Sequence, residues 1–181
     1  MKLLCLALAA AQLAPCPGAT PWRTMATEAD RQRLRELRAA WTEALAVAAP
    51  AEDRAVLFNP DLALEDPLPP AGSYRCRFVK LGGAVRFAAR EWGACRIEGD
   101  ALVRLDGPQQ PMGTLYPDGP SRGIFLGTLH LAEERRSLPY GRDRARDMIG
   151  AVERIGPARW RIALPRPRFE STLDLIELVP A

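Results

Sequence analysis

From Gly72 onward the apolar residues of this chain recur at every second position, and turn signals cut the pattern into short pieces. Tyr74, Cys76 and Phe78 alternate with Arg75, Arg77 and Val79, and Trp160, Ile162 and Leu164 alternate with Arg159, Arg161 and Ala163. A period of two sends successive side chains to opposite faces, so each run reads as a strand with one buried face. Gly82-Gly83, Gly99-Asp100, Asp106-Gly107-Pro108, Pro117-Asp118-Gly119-Pro120, Gly156-Pro157 and Pro165-Arg166-Pro167 separate further candidates. Strands at this density predict an antiparallel meander of about seven or eight. Closing the meander into a small barrel removes its exposed edges, and the turn spacing suits hairpin-to-hairpin connections better than a Greek key. The expected class is α+β, mainly β.

One amphipathic helix precedes the strands. Leu34, Leu37, Trp41, Leu45 and Ala48 recur at three- and four-residue spacing between about Glu28 and Ala48, opposite Arg31, Arg35 and Glu43. Thr27 is placed to cap it, with Asp30 three residues on, and Pro50 ends it. Its apolar stripe is expected to cover the barrel rather than a partner. Pro60, Pro67, Pro69 and Pro70 make residues 51–71 a connector laid over the surface. Residues 133–147, long and charged, read as an exposed loop at one barrel mouth. The organisation is then a signal peptide at 1–19, a helical segment and connector at 20–71, and a barrel region at 72–181 forming one domain with the helix.

The leader, Met1-Lys2 followed by a short run of leucine and alanine, fits a secretory signal and is too short to span a bilayer. Removing it leaves no transmembrane segment, and the expected location is periplasmic or secreted. Leu13-Ala14-Pro15-Cys16 is similar to a lipobox, which makes Cys16 a possible lipid anchor, although Pro15 departs from that pattern. Export also implies a disulfide between Cys76 and Cys95. A plain meander with one strand between them would hold these cysteines about 9 to 10 Å apart, too far for a bond. Three outcomes follow: irregular structure between Val85 and Trp92, a sharp bend of the sheet, or two reduced thiols.

The formal charge of +3 comes from arginines dispersed along the chain, which argues against a nucleic-acid partner. No catalytic constellation is visible. His130 is the sole histidine and falls in a strand without a nucleophile motif, no acid pair is marked as a dyad, and no metal or cofactor pattern occurs. Gln109, Tyr116, Tyr140 and Trp160, which join aromatic surface to hydrogen-bonding groups, are the candidate ligand-binding residues.

Several separated motifs carry a family resemblance: Trp22-Arg23, Ala40-Trp41, the run from Tyr74 to Gly82, Cys95-Arg96-Ile97, Gly107-Pro108-Gln109-Gln110, Gly113 to Asp118, Phe125-Leu126-Gly127, Tyr140-Gly141, Arg146-Asp147, Trp160-Arg161 and Ile176-Glu177-Leu178. On these the chain resembles the bacterial domain-of-unknown-function family 4893. The resemblance implies an exported bacterial protein and assigns no activity, so no functional residue comes with it. Three function classes remain. The first is a non-catalytic envelope protein that binds a partner protein or a small ligand through the barrel. The others are an inhibitor of an exported protease and an enzyme acting on an envelope component. A large apolar cavity favours the first, a projecting rigid N-terminal segment the second, and converging buried carboxylates the third.

Overall fold

The computed structural model describes residues 21–48, 55–84, 86–169 and 171–181, so the leader and Cys16 lie outside the described residues. Among the described residues three helices, α1 (Pro21–Met25), α2 (Glu28–Arg35) and α3 (Leu37–Val47), precede nine strands. These are β1 (Gly72–Leu81), β2 (Phe87–Ala89), β3 (Gly93–Glu98), β4 (Ala101–Arg104), β5 (Gln109–Pro117), β6 (Gly123–Leu131), β7 (Asp147–Gly156), β8 (Arg159–Pro165) and β9 (Leu173–Pro180). All pairings are antiparallel, β1 and β3 to β9 pair in chain order, and β9 returns to β1 from Tyr74↔Pro180 to Leu81↔Leu173. The sheet therefore closes as an eight-stranded barrel, and β2 is one short extra strand.

The placement of β2 explains the cysteines. It pairs with the end of β1 at Val79↔Ala89 to Leu81↔Phe87, while β3 pairs with the beginning of the same edge, Gly72↔Ile97 to Cys76↔Gly93. The chain returns along β1 once, interrupted at Arg90, Glu91 and Trp92, and no strand intervenes. Cys95 lies opposite Tyr74, so Cys76 is its diagonal neighbour on the inward face, with Cα atoms 5.8 Å apart and the disulfide formed. Closing a loop of about 20 residues constrains the unfolded chain. Cys95→Ala is therefore expected to lower stability by roughly 2 to 4 kcal/mol, read as a shifted urea midpoint with the barrel still formed.

Side chains fill the barrel. Tyr74, Phe78, Leu102, Phe125, Ile162 and Ile176 are among those that meet inside, and Tyr74 and Trp160 pack edge to face at 6.0 Å. Space for these bulky groups comes from glycines on the inward rows of β5, β6 and β7. Gly113 and Gly127 lie directly opposite each other, with backbone contacts too close for any side chain.

The outer face is buried as well where helices lie on it. Trp22 and Ala26 pack on Ile124, Leu126 and Ile149 of β6 and β7, and Ala40, Trp41 and Ala44 pack with Val79, Leu81, Ala163 and Leu175 of β1, β8 and β9. The single helix expected from about Glu28 to Ala48 is interrupted at Glu36, whose N–H reaches back to Gln32 and Arg33, so the two halves can follow the curved barrel wall. Thr27 does cap α2, its Oγ1 accepting from the Asp30 N–H at 3.2 Å.

Closure also sorts the connections by end. Those after β3, β5 and β7 lie at one end, together with the approach to β1, where Leu68 packs against the interior and the Tyr74 hydroxyl donates to the Pro70 carbonyl at 2.6 Å. This end is stoppered. Those after β1, β4, β6 and β8 begin at the opposite end, the mouth; the long charged loop of residues 132–146 is one of them, but its middle, Ser137 to Tyr140, turns back along the outer wall beside Ala101, Thr114 and Leu126.

Candidate functional site

Alternation along β1 points Phe78 and Lys80 inward near the mouth, and alternation along β4 does the same for Arg104. Phe78 is the floor of a groove of about 370 Å³ bounded by Trp92, Gly93, Arg104, Asp106, Pro108 and Gln109, with Arg90 and Glu91 also at its edge. A narrower cleft of about 30 Å³, room for a water molecule or two, shares Phe78 and Gln109 and reaches the buried Lys80 and Asp174. These two are register partners on β1 and β9, with Lys80 Nζ 3.5 Å from Asp174 Oδ2.

The wall of the groove is fixed by hydrogen bonds. Arg104, only 7% exposed, lies over the Phe78 ring at 5.8 Å and donates through Nε to the Asp106 carbonyl at 2.9 Å. Asp106 Oδ2 accepts the Ala94 N–H at 2.8 Å, which ties the β4–β5 turn to the start of β3. Gly93 is required beside this pair, because a Cβ there would stand 2.1 Å from Asp106 Oδ1. Trp92 is held from the outer side. Arg77 and Arg75 lie over its ring at 4.5 and 5.2 Å, and Arg77 in turn bonds the buried Glu177 at 2.7 Å. The result is an apolar floor and an aromatic wall beside a buried guanidinium and a half-buried amide.

The four ligand-binding candidates do not gather at one place. Gln109 borders the groove and the cleft. Trp160 is inside the barrel, 5% exposed, with Nε1 unbonded among the described residues. Tyr116 lies on the outer face against the Trp22 cluster, and Tyr140, from the long loop, reaches the same cluster. His130 sits near the end of β6 with Nδ1 3.5 Å from Glu134 Oε2. Phe78, Trp92 and Arg104 were not singled out from sequence. Alternation reveals which residues face inward, but not which end of the barrel is stoppered.

A second polar cluster joins α2 to the barrel. The Tyr140 hydroxyl donates to Asp30 Oδ2 and accepts the Thr27 N–H at 2.9 Å, while Arg33 donates to Asp30 and to the Asp147 carbonyl. Burial, with help from the Asp30 bond, pushes the Tyr140 hydroxyl up to about 12. Asp147 is 3% exposed; its Oδ1 accepts the Gly141 N–H at 2.8 Å, and its Oδ2 has no hydrogen-bond partner among the described residues. Burial, reinforced by the charge of Asp30, raises its carboxyl above the usual carboxylate value. Two buried carboxylates thus converge, but Asp30 is committed to fastening the helix and the loop.

An acid whose folded pKa is raised binds its proton more tightly when folded. Its contribution to stability is full below the unfolded value of 3.8 and is lost as pH rises through the folded one. Urea midpoints of wild type and Asp147→Asn are expected to differ in slope as pH rises above the unfolded value of 3.8, with the wild type losing ground to the variant. Parallel curves would contradict a buried, raised Asp147.

No curated protein and no solved structure matches the chain. One family model does, over residues 22–178, a span that takes in the helices, the stoppered end and the mouth alike. The chain belongs to the family described as Domain of unknown function (DUF4893).

Proposed function

We propose that this is an exported, non-catalytic binding protein whose barrel mouth takes a small amphipathic molecule carrying an acidic group. The observation that carries the reading is the contrast between the two halves of the barrel. The interior is packed, and the groove of about 370 Å³ at the mouth has an apolar and aromatic lining of Phe78, Trp92 and Pro108 beside Arg104, which pairs with Asp106 at 3.3 Å, whereas the hollow of about 350 Å³ at the other end, among Asp118, Arg122 and Glu153, has no aromatic lining. Binding sites combine apolar surface with a few placed polar groups, and Phe78, Trp92 and Pro108 beside Arg104 and Gln109 have that composition. The lumen is filled by Phe125, Trp160, Ile162 and Ile176 among others. Export is supported by the leader and by the disulfide, which belongs to an oxidising compartment.

Saturation-transfer NMR with benzoate, phenylacetate and indole-3-acetate, each beside its neutral amide, tests the site. The acids are expected to bind and to weaken about 5-fold in Gln109→Ala, the effect of one lost hydrogen bond. Binding by no acid, or equal binding to Gln109→Ala and Trp92→Ala, would contradict the reading.

A further inference from the structure

Four charged residues line the groove at the mouth: Arg90, Glu91, Arg104 and Asp106. Arg104 and Asp106 answer each other, with Arg104 Nε 3.3 Å from Asp106 Oδ1 and 2.9 Å from the Asp106 carbonyl oxygen. Arg90 and Glu91 are exposed, and neither has an ion-pair partner among the described residues. Consecutive residues of a regular strand point to opposite faces, so only one of these two should reach the groove. The register explains why both do. Between Val79↔Ala89 and Cys76↔Gly93, β1 advances three residues while the chain returning along it advances four. Arg90 keeps its place opposite Phe78, its N–H donating to the Phe78 carbonyl at 2.8 Å, so the extra residue follows it. The result is a β-bulge, which re-aims side chains where a ladder is interrupted. It sets a cation and an anion side by side at the groove rim, next to Phe78 and Trp92.

We propose, on the reading that the groove is the binding site, that its ligand is a free α-amino acid with an apolar side chain. The carboxylate meets Arg90, the ammonium meets Glu91, and the side chain lies against Phe78, Trp92 and Pro108. A guanidinium can take both oxygens of a carboxylate through its fork. A ligand with a carboxylate alone would set that charge beside Glu91, and one with an ammonium alone would set its charge beside Arg90, with like charges repelling in either case. A molecule with both charges on neighbouring atoms suits the pair, and the two groups on one α-carbon have that spacing. A peptide terminus keeps only one of them.

NMR titrations with four compounds that share a phenyl side chain test the assignment: L-phenylalanine, N-acetyl-L-phenylalanine, L-phenylalaninamide and 3-phenylpropionate. L-phenylalanine is expected to bind about 5-fold more tightly than each of the others, the scale of one ion pair open to water. Glu91→Gln should erase its advantage over N-acetyl-L-phenylalanine, and Arg90→Gln its advantage over L-phenylalaninamide. Both variants should keep the wild-type melting curve, because both side chains are exposed. Equal binding of 3-phenylpropionate or N-acetyl-L-phenylalanine would overturn the amino-acid assignment in favour of a plain acid, and leave the groove as the binding site. Equal binding of L-phenylalaninamide would overturn it in favour of a peptide N-terminus. An advantage kept in both variants would show that Arg90 and Glu91 do not select the ligand. Binding by none of the four would count against the groove itself.

Discussion

Replacing Arg161 by alanine is expected to cost about 4 kcal/mol, most of the stability of a protein at the low end of the ordinary range of about 5 to 15 kcal/mol. Arg161 is fully buried on the outer face of β8. Its Nε donates to Glu153 at 2.9 Å, Nη1 to the Leu57 and Asn59 carbonyls at 2.9 Å each, and Nη2 to the Leu62 carbonyl at 3.2 Å. The guanidinium also lies 4.8 Å from the Trp41 ring centroid. One side chain thus fastens the connector, α3 and β7 to the same strand. Alanine would leave the Glu153 carboxylate and the Leu57 and Leu62 carbonyls without their donor in a place that water reaches poorly, while the Asn59 carbonyl keeps the Leu62 N–H. Urea unfolding measures the loss, and Arg161→Ala combined with Glu153→Ala should recover part of it, because the unpaired charge is then gone.

Gly113→Ala is expected to cost about 3 kcal/mol through overpacking. A Cβ there would stand 2.2 Å from the Leu126 carbonyl oxygen and 2.5 Å from Gly127 Cα, both backbone atoms of β6 that cannot swing aside as a side chain would. Strands β5 and β6 would have to part at the point where the barrel wall is tightest. Gly99→Ala is the comparison. Gly99 has a positive φ of 59° with no atom within 4 Å of its Cβ position, so only backbone strain is charged there, about 1 kcal/mol. Equal effects at the two sites would show that crowding at Gly113 is not what the strand pair avoids.

The barrel was legible because its interior row is written in period two: Tyr74, Cys76 and Phe78 on β1 and Trp160, Ile162 and Leu164 on β8 all point inward. The same pattern misleads about the other face. Arg161 alternates with those apolar residues as a solvent-facing arginine would, yet helix and connector cover it completely, and nothing local in the sequence announces the cover. The cysteines show a different limit. Spacing alone suggested a strand between Cys76 and Cys95, whereas β2 and β3 share one edge of β1, a register that only long-range pairing decides. Among the binding candidates, polarity and aromaticity selected Gln109 at the mouth but could not separate it from Tyr116 and Tyr140, which lie against the helices. Which end of a barrel is stoppered depends on where Leu68 lands, and that is a property of the closed chain.

The four tryptophans of the sequence allow one measurement to test the central claim that ligands enter at the mouth and not into the barrel. Trp22 and Trp41 lie under the helices, Trp160 is inside the barrel, and Trp92 borders the groove. With 5-fluorotryptophan in all four positions and resonances assigned by single Trp→Phe variants, titration with an aromatic carboxylate is expected to shift the Trp92 fluorine signal and leave Trp160 and Trp41 in place. A shift at Trp160 with Trp92 unmoved would place the ligand in the interior and contradict the account.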